Sequence, residues 1–228
     1  MARTKSSSQW LRRHVTDPFV KQAQKDGYRS RSAYKLIELD QKDKLFRPGM
    51  RVMDLGSAPG GWSQVAGRLV GAKGRVLATD ILPMDPLANV DFIQGDFTDE
   101  AIVQQIHDWL QGTKFDLIVS DIAPNITGID SADQASSMYF LELALDTVRK
   151  TLKPGAAFVA KMFQGEGSDA YLKELRKSFE KVSIRKPAAS RPESREVYIV
   201  TRASGTPKGS QCTLGRPRSY QWRVRLTT

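Results

Sequence analysis

Val52-Met53-Asp54-Leu55-Gly56-Ser57-Ala58-Pro59-Gly60-Gly61-Trp62 starts as an apolar strand, breaks at small residues, and resumes as a helix after Pro59. Glycines at 56, 60 and 61 remove side chains where strand hands over to helix, which lets backbone approach a ligand. A plain strand-turn-helix corner would have the same local pattern, so the rest of the chain has to decide.

Working outward from Arg51, strands and helices alternate. Strands are expected at 51–55, 76–79, 90–94, 115–120 and 156–160, then near 181–186 and 196–201. Helices are expected at 63–70, 100–110, 134–152 and 169–178; Met138, Leu141, Leu145 and Val148 recur at helical spacing. This alternation predicts an α/β fold, a parallel sheet with helices on both faces and right-handed crossovers. A ligand is expected at the carboxyl ends of the strands, near the topological switch point. Asp80, Asp96, Asp121 and Lys161 each follow an expected strand end, so they belong to that edge. Upstream, Asp17-Pro18 reads as the start of a short helix reaching Lys25 and ended by Gly27. A second helix begins near Ser30 or Ser32 and turns Ala33, Leu36, Ile37 and Leu39 toward the body, with Lys35 inside it and Pro48-Gly49 closing the segment.

Composition narrows the function. No apolar run is long enough to cross a membrane. A single cysteine, Cys212, excludes an internal disulfide, and two distant histidines, His14 and His107, make a metal site unexpected. The net charge of +10 is uneven: residues 1–35 hold nine Lys/Arg against two acids, and residues 201–228 hold six against none. A near-neutral body with basic ends points to a polyanion partner. The opening Met1-Ala2-Arg3-Thr4-Lys5-Ser6-Ser7-Ser8 has transit-peptide composition without the apolar core of a secretory signal; a cytoplasmic basic arm is the expectation. The organisation read from this is a disordered arm at 1–9 and a body at 10–202, split into basic N-terminal helices (10–48) and a Rossmann-like core (49–202). A basic tail at 203–228, also expected to be disordered, completes it.

The loop spacing bears on the ligand. A dinucleotide site wants Gly-x-Gly-x-x-Gly, and here Ser57-Ala58-Pro59 separates Gly56 from Gly60-Gly61. No Gly-Lys-Ser/Thr follows, so it is not a phosphate-binding P-loop. The edge is acidic instead. Asp80 can take both hydroxyls of an adenosine ribose, and Asp96 is placed for the adenine amino group, although either could serve only as a turn or cap residue. A ligand with adenosine, no phosphate and a positive centre fits: S-adenosylmethionine.

The segment Asp54 to Gln64 resembles the first motif of the FtsJ/RlmE family of ribosomal RNA 2′-O-ribose methyltransferases. So do Leu82-Pro83-Met84-Asp85-Pro86, Gln94-Gly95-Asp96-Phe97, Ser120-Asp121-Ile122-Ala123-Pro124-Asn125, Lys161 to Gly167 and Ser190 to Val200. The similarity runs from about Trp10 to Thr201. It implies a class I methyltransferase fold, with a seven-stranded sheet whose last strand is antiparallel. It also implies methylation of a uridine 2′-hydroxyl in the A-loop of 23S rRNA, with the assembled 50S subunit as partner and ribosome maturation as the purpose. The family's Lys-Asp-Lys-Glu tetrad falls on Lys35, Asp121, Lys161 and Glu196. Gly56, Pro59, Gly60, Trp62, Asp80, Asp96 and Asp121 fall on its cofactor-binding positions.

A ribose hydroxyl must lose its proton as it attacks a methyl group. Lys161 is the expected base or orienter, held by Asp121 and Glu196; a lysine acts as a base only when neutral, which a neighbouring cation favours and carboxylates oppose. In-line alignment carries much of the rate. Arg12, Arg13, Lys21, Arg29, Arg31 and Lys35 are expected on RNA phosphates. Trp10, Phe19, Tyr28 and Tyr34 are interleaved with them to stack bases or pack the helices, packing being the better role for Phe19. Tyr198 is expected near the substrate groove. The tail, with Arg216, Arg218, Arg223 and Arg225, would add nonspecific RNA affinity, and a monomer is the default. Two rivals remain at this stage: the same chemistry on a tRNA loop or an mRNA cap, and a non-catalytic RNA-binding assembly factor. A dehydrogenase is disfavoured by the loop spacing.

Overall fold

Val52, Val76, Leu117, Val119 and Val159 belong to one buried cluster, while Met53, Leu77, Ile118, Phe158 and Ala160 belong to another. Side chains alternate across a strand, so this division puts one apolar layer on each face of a single sheet. The computed structural model describes residues 17–123 and 130–202. Its sheet is built from β1 (Arg51–Leu55), β2 (Arg75–Asp80), β3 (Val90–Gln94), β4 (Phe115–Ser120), β5 (Leu152–Phe163), β6 (Lys181–Arg185) and β7 (Glu196–Arg202). The order across the sheet is β3-β2-β1-β4-β5-β7-β6. All pairs are parallel except those of β7, which runs antiparallel to both β5 and β6. The seven-stranded α/β expectation is borne out, last strand included.

The helices are α1 (Pro18–Asp26), α2 (Ala33–Asp43), α3 (Gly61–Val70), α4 (Glu100–Leu110), α5 (Asp130–Thr151) and α6 (Ser168–Ser178). Residues of α2 and α3 pack in one cluster with Val52, Val159 and Tyr198. Residues of α4, α5 and α6 pack in the other. Asp17 caps α1 by accepting the Phe19 amide at 2.9 Å, and Gly27 ends it at φ 71°, as the Asp-Pro and Gly signals require.

β5 differs from expectation. It reaches back to Leu152 and on to Phe163, where a strand of 156–160 was expected. Its pairing with β4 shifts register between Phe115 and Leu117, so Pro154-Gly155 is absorbed as an irregularity within the strand. Lys161 therefore lies inside a strand, opposite Tyr198 on β7. The expectations for the arm, the tail, Trp10, Arg12 and Arg13 fall outside the described residues, as do Pro124 and Asn125.

Candidate active site

Lys161 and Phe163 on β5 share a sheet face with Glu196 and Tyr198 on β7, because residues two apart point the same way and the strands pair Lys161 with Tyr198 and Phe163 with Glu196. This is the face covered by α2, from which Lys35 enters. The Lys35 ammonium lies 2.7 Å from Glu196 Oε1, with both side chains largely buried. Ser190 Oγ donates to the same oxygen at 2.8 Å. Lys161 Nζ donates to the Asp121 carbonyl at 2.7 Å and lies 3.1 Å from its Oδ1. Tyr198 Oη donates to that Oδ1 at 2.7 Å, and Lys35 Nζ sits over the Tyr198 ring, 5.6 Å from its centre. The two ion pairs are thus linked through Tyr198. Burial alone would raise the Glu196 carboxyl, but Lys35 first, then Ser190 and Lys161, outweigh it and hold it below the usual carboxylate range. Burial and the Asp121 and Glu196 carboxylates push the Tyr198 phenol up, so it remains a donor.

With the Asp121 carbonyl hydrogen-bonded to Lys161 and its carboxylate beside it as an ion pair, the amine keeps capacity for a substrate atom. It carries an N–H when the lysine is charged and a lone pair when it is neutral. This arrangement orients a hydroxyl and can take its proton.

Asp121 follows β4, whose neighbour β1 leads into the glycine loop. The loop is stitched from below: Gly56 and Ser57 donate to the Thr79 carbonyl at 2.9 and 3.2 Å. The Asp80 carboxylate accepts the Ala58 amide at 2.9 Å and the Leu82 amide at 2.8 Å, tying the loops after β1 and β2 together. Asp96 is exposed, and its Oδ1 accepts the Thr98 amide at 2.9 Å and hydroxyl at 2.8 Å. Both acids therefore do turn work, and each retains acceptor lone pairs for a ligand. Asp54 is fully buried: Ser63 Oγ donates to its Oδ2 at 2.6 Å, while Oδ1 is unpartnered, as are the buried hydroxyls of Ser57 and Thr79. Burial, opposed by the Ser63 bond and reinforced by Asp121 and Asp80, pushes the Asp54 carboxyl up to about 7. Such a concentration of carboxylates repels a pyrophosphate and favours a ligand with a positive centre.

A model of the FtsJ-like methyltransferases matches residues 28–204. The chain belongs to the FtsJ-like methyltransferase family. It is 71% identical over 202 residues to a protein of Stutzerimonas stutzeri (strain A1501) named ribosomal RNA large subunit methyltransferase E, covering 89% of this chain and 98% of that one. A protein of the same name from Marinobacter nauticus is 62% identical over the same shares. A solved chain from Plasmodium falciparum, described as a ribosomal RNA methyltransferase, superposes with a TM-score of 0.71 at 30% identity, over 78% of this chain and 98% of that one. This FtsJ-like chain is therefore a methyltransferase with a Rossmann-like fold, and a methyl donor is implied.

In this FtsJ-like methyltransferase, Lys35, Asp121, Lys161 and Glu196 come together as two linked pairs. Lys161 pairs with Asp121 and Glu196 pairs with Lys35, whereas sequence reasoning had both acids holding Lys161. The loop glycines need a different explanation. A Cβ on Gly60 would lie 2.9 Å from Arg29 Nη1 and 3.0 Å from Met84 Sδ; one on Gly61 would meet Ser30 Oγ, and one on Gly56 would meet Ile122. The space the missing side chains leave is filled by the protein itself. Trp62 is buried and donates through Nε1 to the Ser32 carbonyl at 2.8 Å. Gly60, at φ 106°, also needs the left-handed region that glycine favours.

The expected phosphate contacts divide. Lys21 is exposed. Arg31 instead pairs with Asp17 at 3.0 Å and donates to the Ala189 carbonyl at 2.5 Å, and Arg29 is spent on backbone carbonyls. Both guanidiniums give donors to internal acceptors, which fixes their positions, while the buried Arg31 Nε has no hydrogen-bond partner. Tyr34 meets Phe19 at a tilt and Tyr28 edge to face, with ring centres 5.7 and 5.6 Å apart, so the three rings pack α1 on α2. Sequence reasoning missed Ser190 and Glu38. Glu38 accepts the Ala188 and Ala189 amides at 2.6 and 3.0 Å and pins the loop carrying Ser190. Their partners are more than a hundred residues away or on a loop with no periodicity, so no sequence signal marked them.

Proposed function

We propose that this enzyme transfers a methyl group from S-adenosylmethionine to the ribose 2′-hydroxyl of a uridine in the A-loop of 23S rRNA. The substrate would be the assembled 50S subunit, the enzyme would act as a cytoplasmic monomer, and the modification would support ribosome maturation. The observation that carries the chemistry is the buried chain Lys161–Asp121–Tyr198–Lys35–Glu196 beside a carboxylate-rimmed glycine loop. The names of the relatives, ribosomal RNA large subunit methyltransferase E, support the RNA class. The unpartnered buried Asp54 Oδ1, together with Asp80, suits a cationic adenosine ligand rather than a phosphorylated one. Gly56, Pro59, Gly60, Trp62, Asp80, Asp96 and Asp121 would hold the cofactor, which when bound supplies an electrophilic methyl on a sulfonium.

The protein's share of the reaction lies in the tetrad. Asp121 holds Lys161 through its carbonyl and carboxylate; as an ammonium the amine orients the 2′-hydroxyl, and only in its neutral form does its lone pair take the hydroxyl proton. Glu196 and Lys35 neutralise one another, which keeps Lys35 over the Tyr198 ring and Tyr198 on Asp121. Lys21, with Arg12 and Arg13 upstream, would contact RNA phosphates. The test is methyl incorporation from labelled cofactor into purified 50S subunits. The wild type is expected to label a single uridine, while Lys161→Ala falls by about 100-fold or more. Undiminished incorporation by Lys161→Ala would sink the mechanism. No incorporation into any RNA by the wild type would favour a non-catalytic assembly factor.

A further inference from the structure

Residues 27–32 link α1 to α2 and run across the start of α3. Gln64 on α3 reads this strap like a backbone: its Oε1 accepts the Arg29 amide at 2.7 Å and its Nε2 donates to the Gly27 carbonyl at 3.0 Å. Trp62 holds the far end through Ser32. The Arg29 side chain then leaves the strap and spans two loops. Nη1 donates to the Asp85 carbonyl at 2.7 Å and the Pro59 carbonyl at 3.2 Å, and Nη2 donates to the Pro86 carbonyl at 2.9 Å. Pro59 lies in the glycine loop after β1, and Asp85 and Pro86 lie in the loop after β2.

These are the two loops that Asp80 joins through the amides of Ala58 and Leu82. One carboxylate gathers their amides and one guanidinium gathers their carbonyls. The chemistry suits arginine: a planar fork can serve three carbonyls at fixed spacing, which a lysine ammonium on a flexible stem cannot reproduce. Gly60 follows from it, since its missing Cβ makes room for the guanidinium.

We propose that Arg29 is a positioning residue for the cofactor site: it clamps the loops after β1 and β2 into the spacing that an adenosine ligand needs, and it ties that spacing to the basic N-terminal helices. The proposal rests on the cofactor reading above. The strap is shared between the RNA-facing segment and the cofactor loops, so docking on RNA and order in the cofactor loops stabilise each other. Linkage then requires that each ligand tighten the other by the same factor.

The experiment uses the full chain as wild type, Arg29→Lys and Arg29→Ala, with thermal unfolding to show that all three are folded. S-adenosylmethionine affinity is measured by titration calorimetry, the salt dependence of affinity for an rRNA fragment by filter binding, and amide exchange without ligand by mass spectrometry. Both variants should bind the cofactor about 10-fold more weakly and exchange faster at residues 56–60 and 81–87. Their RNA salt slope should equal that of the wild type. In the wild type, saturating RNA should tighten cofactor binding, and both variants should lose most of that gain. A salt slope lowered by about one with cofactor affinity intact would make Arg29 a phosphate contact and overturn the proposal. Unchanged exchange and affinity in both variants would also overturn it. Failure of the wild type to bind S-adenosylmethionine would instead sink the cofactor reading itself.

Discussion

Asp54 is the residue whose chemistry departs furthest from its sequence appearance. An acid at the end of an apolar strand looks solvated at the loop edge, yet here it is buried with one oxygen unpartnered and a carboxyl pushed up to about 7. Its folded-state value lies above its unfolded one, so the folded state is favoured at low pH and loses stability as pH rises from about 4 through 7, by roughly 4 kcal/mol in the cofactor-free protein. Asp54→Asn should flatten that part of a stability-against-pH curve measured by denaturant unfolding; a retained slope would place the titration elsewhere. A cationic ligand beside Asp54 should relieve the same penalty, so cofactor affinity should rise with pH across this window. Glu196 has the opposite sign. Its lowered carboxyl contributes stability above the ordinary carboxylate range and loses it as pH falls through its own value. Tyr198→Phe removes the bond to Asp121 while keeping the ring over which Lys35 lies. It should leave the melting temperature within a few degrees and lower kcat by roughly 10-fold, readable in single-turnover assays.

At the scale of elements, the site is an agreement between α2, β5 and β7. Antiparallel pairing of β5 with β7 puts Lys161 beside Tyr198, and α2 lowers Lys35 onto Glu196. Lys35→Ala would leave Glu196 buried without its cation, a loss of roughly 3 kcal/mol and a melting temperature lower by about 8 °C. The double change Lys35→Ala with Glu196→Gln should recover much of that loss in thermal unfolding; no recovery would mean that Lys35 stabilises by packing. The elements themselves were legible. Short apolar stretches marked the strands, and Asp-Pro and Gly marked the ends of α1. The length of β5 was not legible, because Pro154-Gly155 has the composition of a turn and only the pairing of the flanking Leu152 and Ala157 with β4 keeps it in the strand. The partners of Arg29 and Arg31 were not legible either. Sequence shows a guanidinium but not the carbonyls that take its donors.

For the whole molecule, charge is unevenly distributed along the chain. The body is close to neutral, and the excess of basic over acidic residues lies in the first 35 positions and the last 28. The family model stops at residue 204, so the final basic stretch lies beyond it. Deleting 203–228 should lower affinity for rRNA fragments and reduce the salt slope by a few units, with methyl transfer to 50S subunits retained; an unchanged slope would leave the tail without an RNA role. The sequence alone already determined the α/β class and the acidic edge at the strand ends, properties of residue type and period that local physics sets; Lys35, Asp121, Lys161 and Glu196 were singled out by the family resemblance, not by period. Only the tertiary structure decided that Lys161 answers to Asp121 and Glu196 to Lys35. It alone decided that protein side chains stand where a Cβ on the loop glycines would point, and that Arg29 grips backbone carbonyls. The physical reason is common to all three: each depends on which atoms the crossovers and the strand register bring within hydrogen-bond distance, and those atoms lie 30 to 161 positions apart in the chain in the ion pairs and clamp described.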